Sequence, residues 1–179
     1  MSFEDIDKLF GTDNVRSGYD MLREHYNGKE KSPDLLWRLA KFCHELAGRT
    51  TDKEKKKELI LEGRDYAVEG HHLDEDHFNA VKWAAIMTGQ STDYLGTKEK
   101  IEQGSKFKEY LDRALLIDAK EYALLHMRGR YSYSVANLSW FEKRLVIAKT
   151  YLSMAIKLKP VDDSENELLQ EATKLVGKC

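Results

Sequence analysis

The chain has 179 residues, 41% hydrophobic and 34% charged, which supports one core-bearing domain or a short repeat array under a heavily charged surface. A formal net charge of −2 excludes nucleic-acid binding driven by overall positive charge, so an anionic partner has to be met by a local patch. Two prolines and two cysteines exclude proline-rich and disulfide-built scaffolds, and no apolar run approaches a membrane-spanning helix. The N-terminus, MSFEDIDKLF, is acidic and has no signal-peptide pattern, so the expectation is a soluble, cytoplasmic protein.

Phe3, Ile6, Leu9 and Phe10 predict a short amphipathic helix stopped by Gly11. Val15, Tyr19, Leu22 and Tyr26 fall on one helical face, closed by Asn27-Gly28. Ser32-Pro33-Asp34 opens the next helix, with Ser as cap and Pro in the first turn. Its apolar stripe is Leu35, Leu36, Leu39, Phe42, Cys43 and Leu46, and Gly48 ends it. Thr51-Asp52 begins a long helix over 53–70 with Leu59, Ile60, Tyr66 and Ala67 inward. Further helices are predicted over 76–88, 97–117 and 120–136, and the C-terminal part is again helical.

These helices carry a periodic signature. Helices of one type approximate the pattern large-x2-Leu-small-x2-aromatic: Leu36-x2-Leu39-Ala40-x2-Cys43, Val81-x2-Ala84-Ala85-x2-Thr88 and Leu125-x2-Arg128-Gly129-x2-Ser132, starting at 36, 81 and 125. Between them stand Gly63-x3-Ala67-x2-Gly70 and Phe107-x3-Leu111-x2-Ala114. The small residues are needed where paired helices cross closely. This predicts an all-α fold of tetratricopeptide-like antiparallel helix pairs in a short right-handed solenoid. One repeat domain over 1–179 is expected: an N-terminal helix pair (1–30), repeats at 33–75, 76–119 and 120–160, and a capping helix at 161–179. A regular unit has about 34 residues. The surplus of about ten falls in 49–57 and 91–103, to be absorbed by longer helices or extra turns.

Lys53, Lys55, Lys56 and Lys57 form a basic run at the start of one long helix, and Lys98, Lys100, Lys106 and Lys108 a matching run one repeat later. Interspersed glutamates suit a solvated face, while the repetition suits a basic ridge for an acidic partner. Arg128 stands where such a helix normally buries Leu, and a buried arginine needs a partner or a ligand. With Lys82 and Asn137 it is a candidate for a peptide-binding concave groove. His71, His72 and His77 lie among Asp74, Glu75 and Asp76, but on a turn and without metal-ligand spacing, so no metal is assigned. Cys43 reads as a buried thiol. With no phosphate loop, nucleophile elbow or zinc motif present, no catalytic residue and no cofactor are assigned.

Several segments resemble the regulator of microtubule dynamics family: Leu35-Leu36-Trp37-Arg38-Leu39-Ala40, Lys82-Trp83-Ala84-Ala85-Ile86, Lys106-Phe107-Lys108-Glu109 after Ile101-Glu102, Leu125-His126-x-Arg128-Gly129, and Val135-Ala136-Asn137-Leu138-Ser139-Trp140-Phe141-Glu142-Lys143-Arg144. The resemblance implies a non-enzymatic microtubule-associated protein at the cytoskeleton and spindle, acting in chromosome segregation, with tubulin as partner. Tubulin's acidic surface would meet lysine ridges. A scaffold that holds a partner's peptide in the groove is an alternative. A phospholipid-binding solenoid at membrane contacts is another, implied by a relative in the family. The C-terminal part departs from the family pattern, because Ile147-Ala148-x2-Tyr151 and Ala155-x4-Pro160 lie too close for one repeat. Either the chain lacks residues near 145 and 153 that a whole repeat would hold, or Ala148-x3-Leu152-x2-Ala155 is one complete second helix.

Overall fold

The computed structural model describes residues 2–28, 31–138, 142–158, 160 and 163–178, those at 136–138 and 142–146 as backbone alone. Among these residues every regular element is helical: α1 (Phe3–Asp7), α2 (Val15–Gly28), α3 (Pro33–Arg49), α4 (Lys53–Leu73), α5 (Phe78–Ser91), a 3-10 turn (Thr92–Tyr94), α6 (Thr97–Ile117), α7 (Tyr122–Leu138), α8 (Glu142–Ile156) and α9 (Asp163–Val176). The predicted all-α class is met.

Helix starts follow the capping chemistry. Ser2 and Asp5 form a reciprocal capping box on α1. Ser32 accepts from the Leu35 N–H at 3.2 Å, with Pro33 in the first turn of α3. Asp52 accepts from the N–H groups of Glu54 and Lys55 at 3.0 and 3.2 Å. α5 begins at Phe78 rather than 76, because His77 is its cap: Nδ1 accepts from the Ala80 N–H at 3.2 Å. Gly11 takes φ +74°, a left-handed turn that suits glycine, after α1. Gly48 does not end α3, which runs on to Arg49.

The chain divides into two compact units, Met1–Tyr110 and Leu111–Cys179. In the first, α3 and α4 run antiparallel. A Cβ on Gly63 would meet Cys43 and Ala40, while one on Gly70 would meet Leu36 and Pro33, so the chain rises on one helix as it falls on the other. Helices two places apart run parallel at a fixed step. Tyr19 meets Glu62 and Tyr26 meets Glu69, both 43 residues on. His44 meets Gln90, 46 residues on. These steps bracket the spacing of the sequence signatures. The core is Leu22, Leu36, Leu39, Phe42, Val81 and Met87, all fully buried. Leu46 and Phe78, which share the predicted helix patterns, are half-buried.

In the second unit α7 packs on α8, and α9 packs on both. Tyr122, Leu125 and Ala155 form a buried cluster covered by Leu168 and Leu169 of α9. α8 is unbroken from Glu142 to Ile156. Ala148, Leu152 and Ala155 are all fully buried along it. The six small residues expected at crossings, Ala40, Gly63, Gly70, Ala85, Ala114 and Gly129, are buried. The surplus before the second helices of the repeats is largely helix, α4 and α6 being 21 residues each.

Candidate functional site

Lys53, Lys55 and Lys56 are exposed in the first turn of α4, and Lys57 is half-buried. Lys98, Lys100, Lys106 and Lys108 are exposed on α6. α4 and α6 meet within the first unit. His71 stacks edge-on against Tyr110 with ring centroids 5.0 Å apart, and a cleft of about 400 Å³ between the helices is lined by Arg64, Val68 and His72 on one side and Gln103, Lys106 and Tyr110 on the other. Lys106 of the second run therefore lies against the 64–72 stretch of α4. A helix N-terminus carries positive partial charge, so lysines in the first turn are unfavourable by a few tenths of a kcal/mol each and add to a positive potential.

Lys82, a predicted groove residue, lies on α5 with its Nζ 5.8 Å from the Phe78 ring centroid. The neighbouring face of α3 holds a cation cluster that the sequence reading passed over. Arg38 donates to both carboxylate oxygens of Asp7 at 3.0–3.1 Å and to Asp34 at 2.9 Å. One turn on, the Lys41 Nζ sits 3.9 Å from the Phe10 ring centroid. The spacing of Asp34, Arg38, Lys41 and Glu45, at steps of four, three and four, was the available signal.

Arg128, in the second unit, is 7% exposed. Its Nε donates to Asp112 at 2.6 Å and its Nη1 to Ser132 at 2.5 Å, and its guanidinium lies 5.0 Å from the Tyr151 ring centroid. The buried cation singled out from sequence has partners inside the chain, Asp112 and Ser132. The side chains of Asn137, Trp140, Phe141, Lys143 and Arg144 lie outside the described residues.

The histidines do not converge. His77 caps α5, His71 stacks on Tyr110 and His72 lines the cleft. Among the described residues no group of three His, Cys, Asp or Glu side chains could hold a metal ion. Cys43 is fully buried, and burial pushes its thiol far above the usual range. Between α2 and α4, Glu62 accepts from Tyr19 at 2.7 Å, from Tyr66 at 2.9 Å and from Arg23. Burial and these bonds to Glu62 push both phenols up. Among the described residues no helix is long and apolar enough to cross a membrane.

A family model described as regulator of microtubule dynamics protein 1-3 matches residues 2–148. Regulator of microtubule dynamics protein 1 of Caenorhabditis elegans is 42% identical over 163 residues, 91% of this chain and 70% of the relative. Protein 1 of Bos taurus is 31% identical over 79% of this chain and 44% of its own length. Protein 3 of Xenopus laevis is 27% identical over 76% of this chain and 30% of its own. The chain thus spans less than half the length of these vertebrate relatives. With the match running from residue 2 into α8 and through both lysine runs, the chain belongs to the regulator of microtubule dynamics family, on the side of its protein 1 members.

Proposed function

We propose that this chain is a non-enzymatic binding protein that docks on the acidic surface of microtubules through the lysines at the start of α4 and α6. The observation that supports this reading is the exposure of Lys53, Lys55 and Lys56 in the first turn of α4, and of Lys98 and Lys100 in the first turn of α6. Folding alone disfavours cations there. An anionic partner would instead gain from both the ammonium groups and the helix termini. The names of the relatives point to the same partner class. A cytoskeletal location, and work at the spindle during chromosome segregation, follow on this reading.

The scaffold we propose is a short right-handed solenoid of tetratricopeptide-like pairs over 33–75, 76–119 and 120–160, with 1–30 and 161–179 at its ends. Antiparallel α3 and α4, the parallel step of 43 to 46 residues, and glycines at the crossings support it.

Pelleting with microtubules across a salt series is the test. The natural chain should bind and weaken as salt rises, since exposed charges are screened over about 8 Å at physiological ionic strength. Reversing Lys55, Lys56 and Lys57 to Glu should cut binding about tenfold or more. Undiminished binding by that variant removes the ridge from the interaction.

A further inference from the structure

The cleft between α4 and α6 holds more hydrogen-bond donors than the chain itself uses. Arg64 and His72 stand on its α4 side, and Gln103, Lys106 and Tyr110 on its α6 side, around about 400 Å³. Asp65 and Glu69 also line it, and both carboxylates are engaged. Arg64 Nη2 donates to Asp65 at 2.8 Å, while Glu69 accepts from Lys31 Nζ at 2.5 Å and from the Tyr26 hydroxyl at 3.3 Å. Among the described residues, the side chains of His72, Gln103 and Lys106 have no hydrogen-bond or ion-pair partner.

Two of the donors are partly withdrawn from water. The Arg64 side chain is 22% exposed and spends Nε and Nη2 on one oxygen of Asp65, which leaves the rest of its fork unspent. Tyr110 is 8% exposed. Burial and the neighbouring Glu109 push its phenol up, so it stays protonated and remains a donor. Donors held at a half-dry wall gain from a fixed acceptor more than freely solvated ones do. With Lys31 behind Glu69, three cations face two carboxylates, and one positive charge is left over.

We infer that the α4–α6 cleft binds a short, extended acidic peptide segment, with one Asp or Glu carboxylate taken by Arg64 and Lys106 and its methylenes laid on Val68 and Tyr110. Charge complementarity selects this occupant. One carboxylate balances the surplus positive charge, whereas a dianionic phosphate would leave net negative charge beside Asp65 and Glu69. Gln103 and His72 supply neutral donors for main-chain carbonyls. The length agrees: from Arg64 to His72 the wall runs about 12 Å at ~1.5 Å per residue, the span of about four residues of extended chain. Alternate side chains of such a chain point the same way, so an acidic residue at every second position presents its carboxylates to the cleft. The site is separate from the lysines at the start of α4 and α6 and does not depend on their role.

The experiment is fluorescence anisotropy of the full chain with a fluorescein-labelled, C-terminally amidated octapeptide of alternating Glu and Ala, and with the Gln analogue as control. The Gln peptide should bind at least about tenfold more weakly than the Glu peptide. Lys106→Gln and Arg64→Gln should each weaken binding of the Glu peptide about tenfold, the second also because it releases Asp65 into the cleft. Lys108→Gln makes the same charge change on the far side of α6 and should bind as the natural chain does. Both lysines are exposed, so neither change should move the melting temperature by more than about 1–2 °C. Amide chemical-shift changes on titration should centre on Val68, Gln103 and Tyr110. Equal binding of the Glu and Gln peptides, unchanged binding by Lys106→Gln, or an equal loss in Lys108→Gln would each overturn the proposal. Competition by free glutamate or inorganic phosphate as effective as that by unlabelled peptide would also overturn it, by showing a general anion site.

Discussion

Arg128 and Asp112 form a close charged pair in the second unit, Nε to Oδ1 at 2.6 Å, with the arginine almost fully buried and the aspartate about one-third exposed. Removing one member of such a pair strands the other. Asp112→Ala should destabilise the protein by about 2–4 kcal/mol. Arg128→Leu, which restores the residue type usual in that helical slot, should cost less. Urea unfolding of both variants decides this. A larger loss for Arg128→Leu than for Asp112→Ala would show that the guanidinium's packing on Tyr151, rather than its charge, is the main contribution.

Two glycines should respond to alanine with opposite signs. A Cβ at Gly63 would lie 2.8 Å from the Cβ of Cys43 and 2.5 Å from Cε of Met87. Met87 can swing away, but the Cys43 Cβ is fixed to its backbone, so α3 and α4 must part. Gly63→Ala should cost about 1–3 kcal/mol. At Gly104 nothing lies within 4 Å, and an alanine within α6 should add about 0.5–1 kcal/mol. Thermal melts of the two single variants give the comparison.

His126 ties acid stability to α9. It is almost fully buried, and its Nε2 lies 3.2 Å from Glu171 on α9. Burial holds its pKa below the usual range, Glu171 opposes that, and Arg130 adds to it. A lowered folded pKa means that the folded state binds fewer protons. The contribution is therefore complete above the unfolded value of about 6.5 and is lost as pH falls through the lower, folded value. Glu171→Gln should move the imidazole pKa further down and widen that window. Titration of the His126 ring by NMR, with urea melts at about pH 7.5 and 5.5, reads both.

The lysine ridge makes a stability prediction distinct from its binding one. Replacing Lys55 and Lys56 by Glu puts acidic groups in the first turn of α4, where the helix terminus favours them. Each change should raise stability by about 0.3 kcal/mol or more at low salt. Lost microtubule binding in a variant that melts higher would separate function from folding. A lower melting temperature would show that these lysines contribute to the fold.

What the sequence made legible was local or periodic. Ser32 and Asp52 announced their helices because a cap is a matter of three or four residues. Ala40, Gly63, Gly70 and Gly129 announced the crossings because only small side chains let two helices approach. His77 was not legible as a cap, since histidine is an unusual acceptor for a helix N–H. The bond from Arg38 to Asp7 spans 31 residues and has no local signature. Nor has the joining of Glu62 to Tyr19 and Arg23, which depends on α2 and α4 lying side by side. Arg128 was singled out by the wrongness of its slot, and that inference correctly demanded a partner. Asp112 could be named only once α6 and α7 were placed. The lysine runs were visible as composition, but the contact of α6 with α4 through Tyr110 and His71 has no local signature.

The step of about 43 residues between side-by-side helices has a mechanical corollary. Bonds that hold the first unit join segments near each other along the chain, so little loop entropy is spent before they form. Assembly can begin at any neighbouring pair and spread outward, and disassembly can peel from an end without dissolving the middle. Such a molecule yields by increments under load rather than all at once.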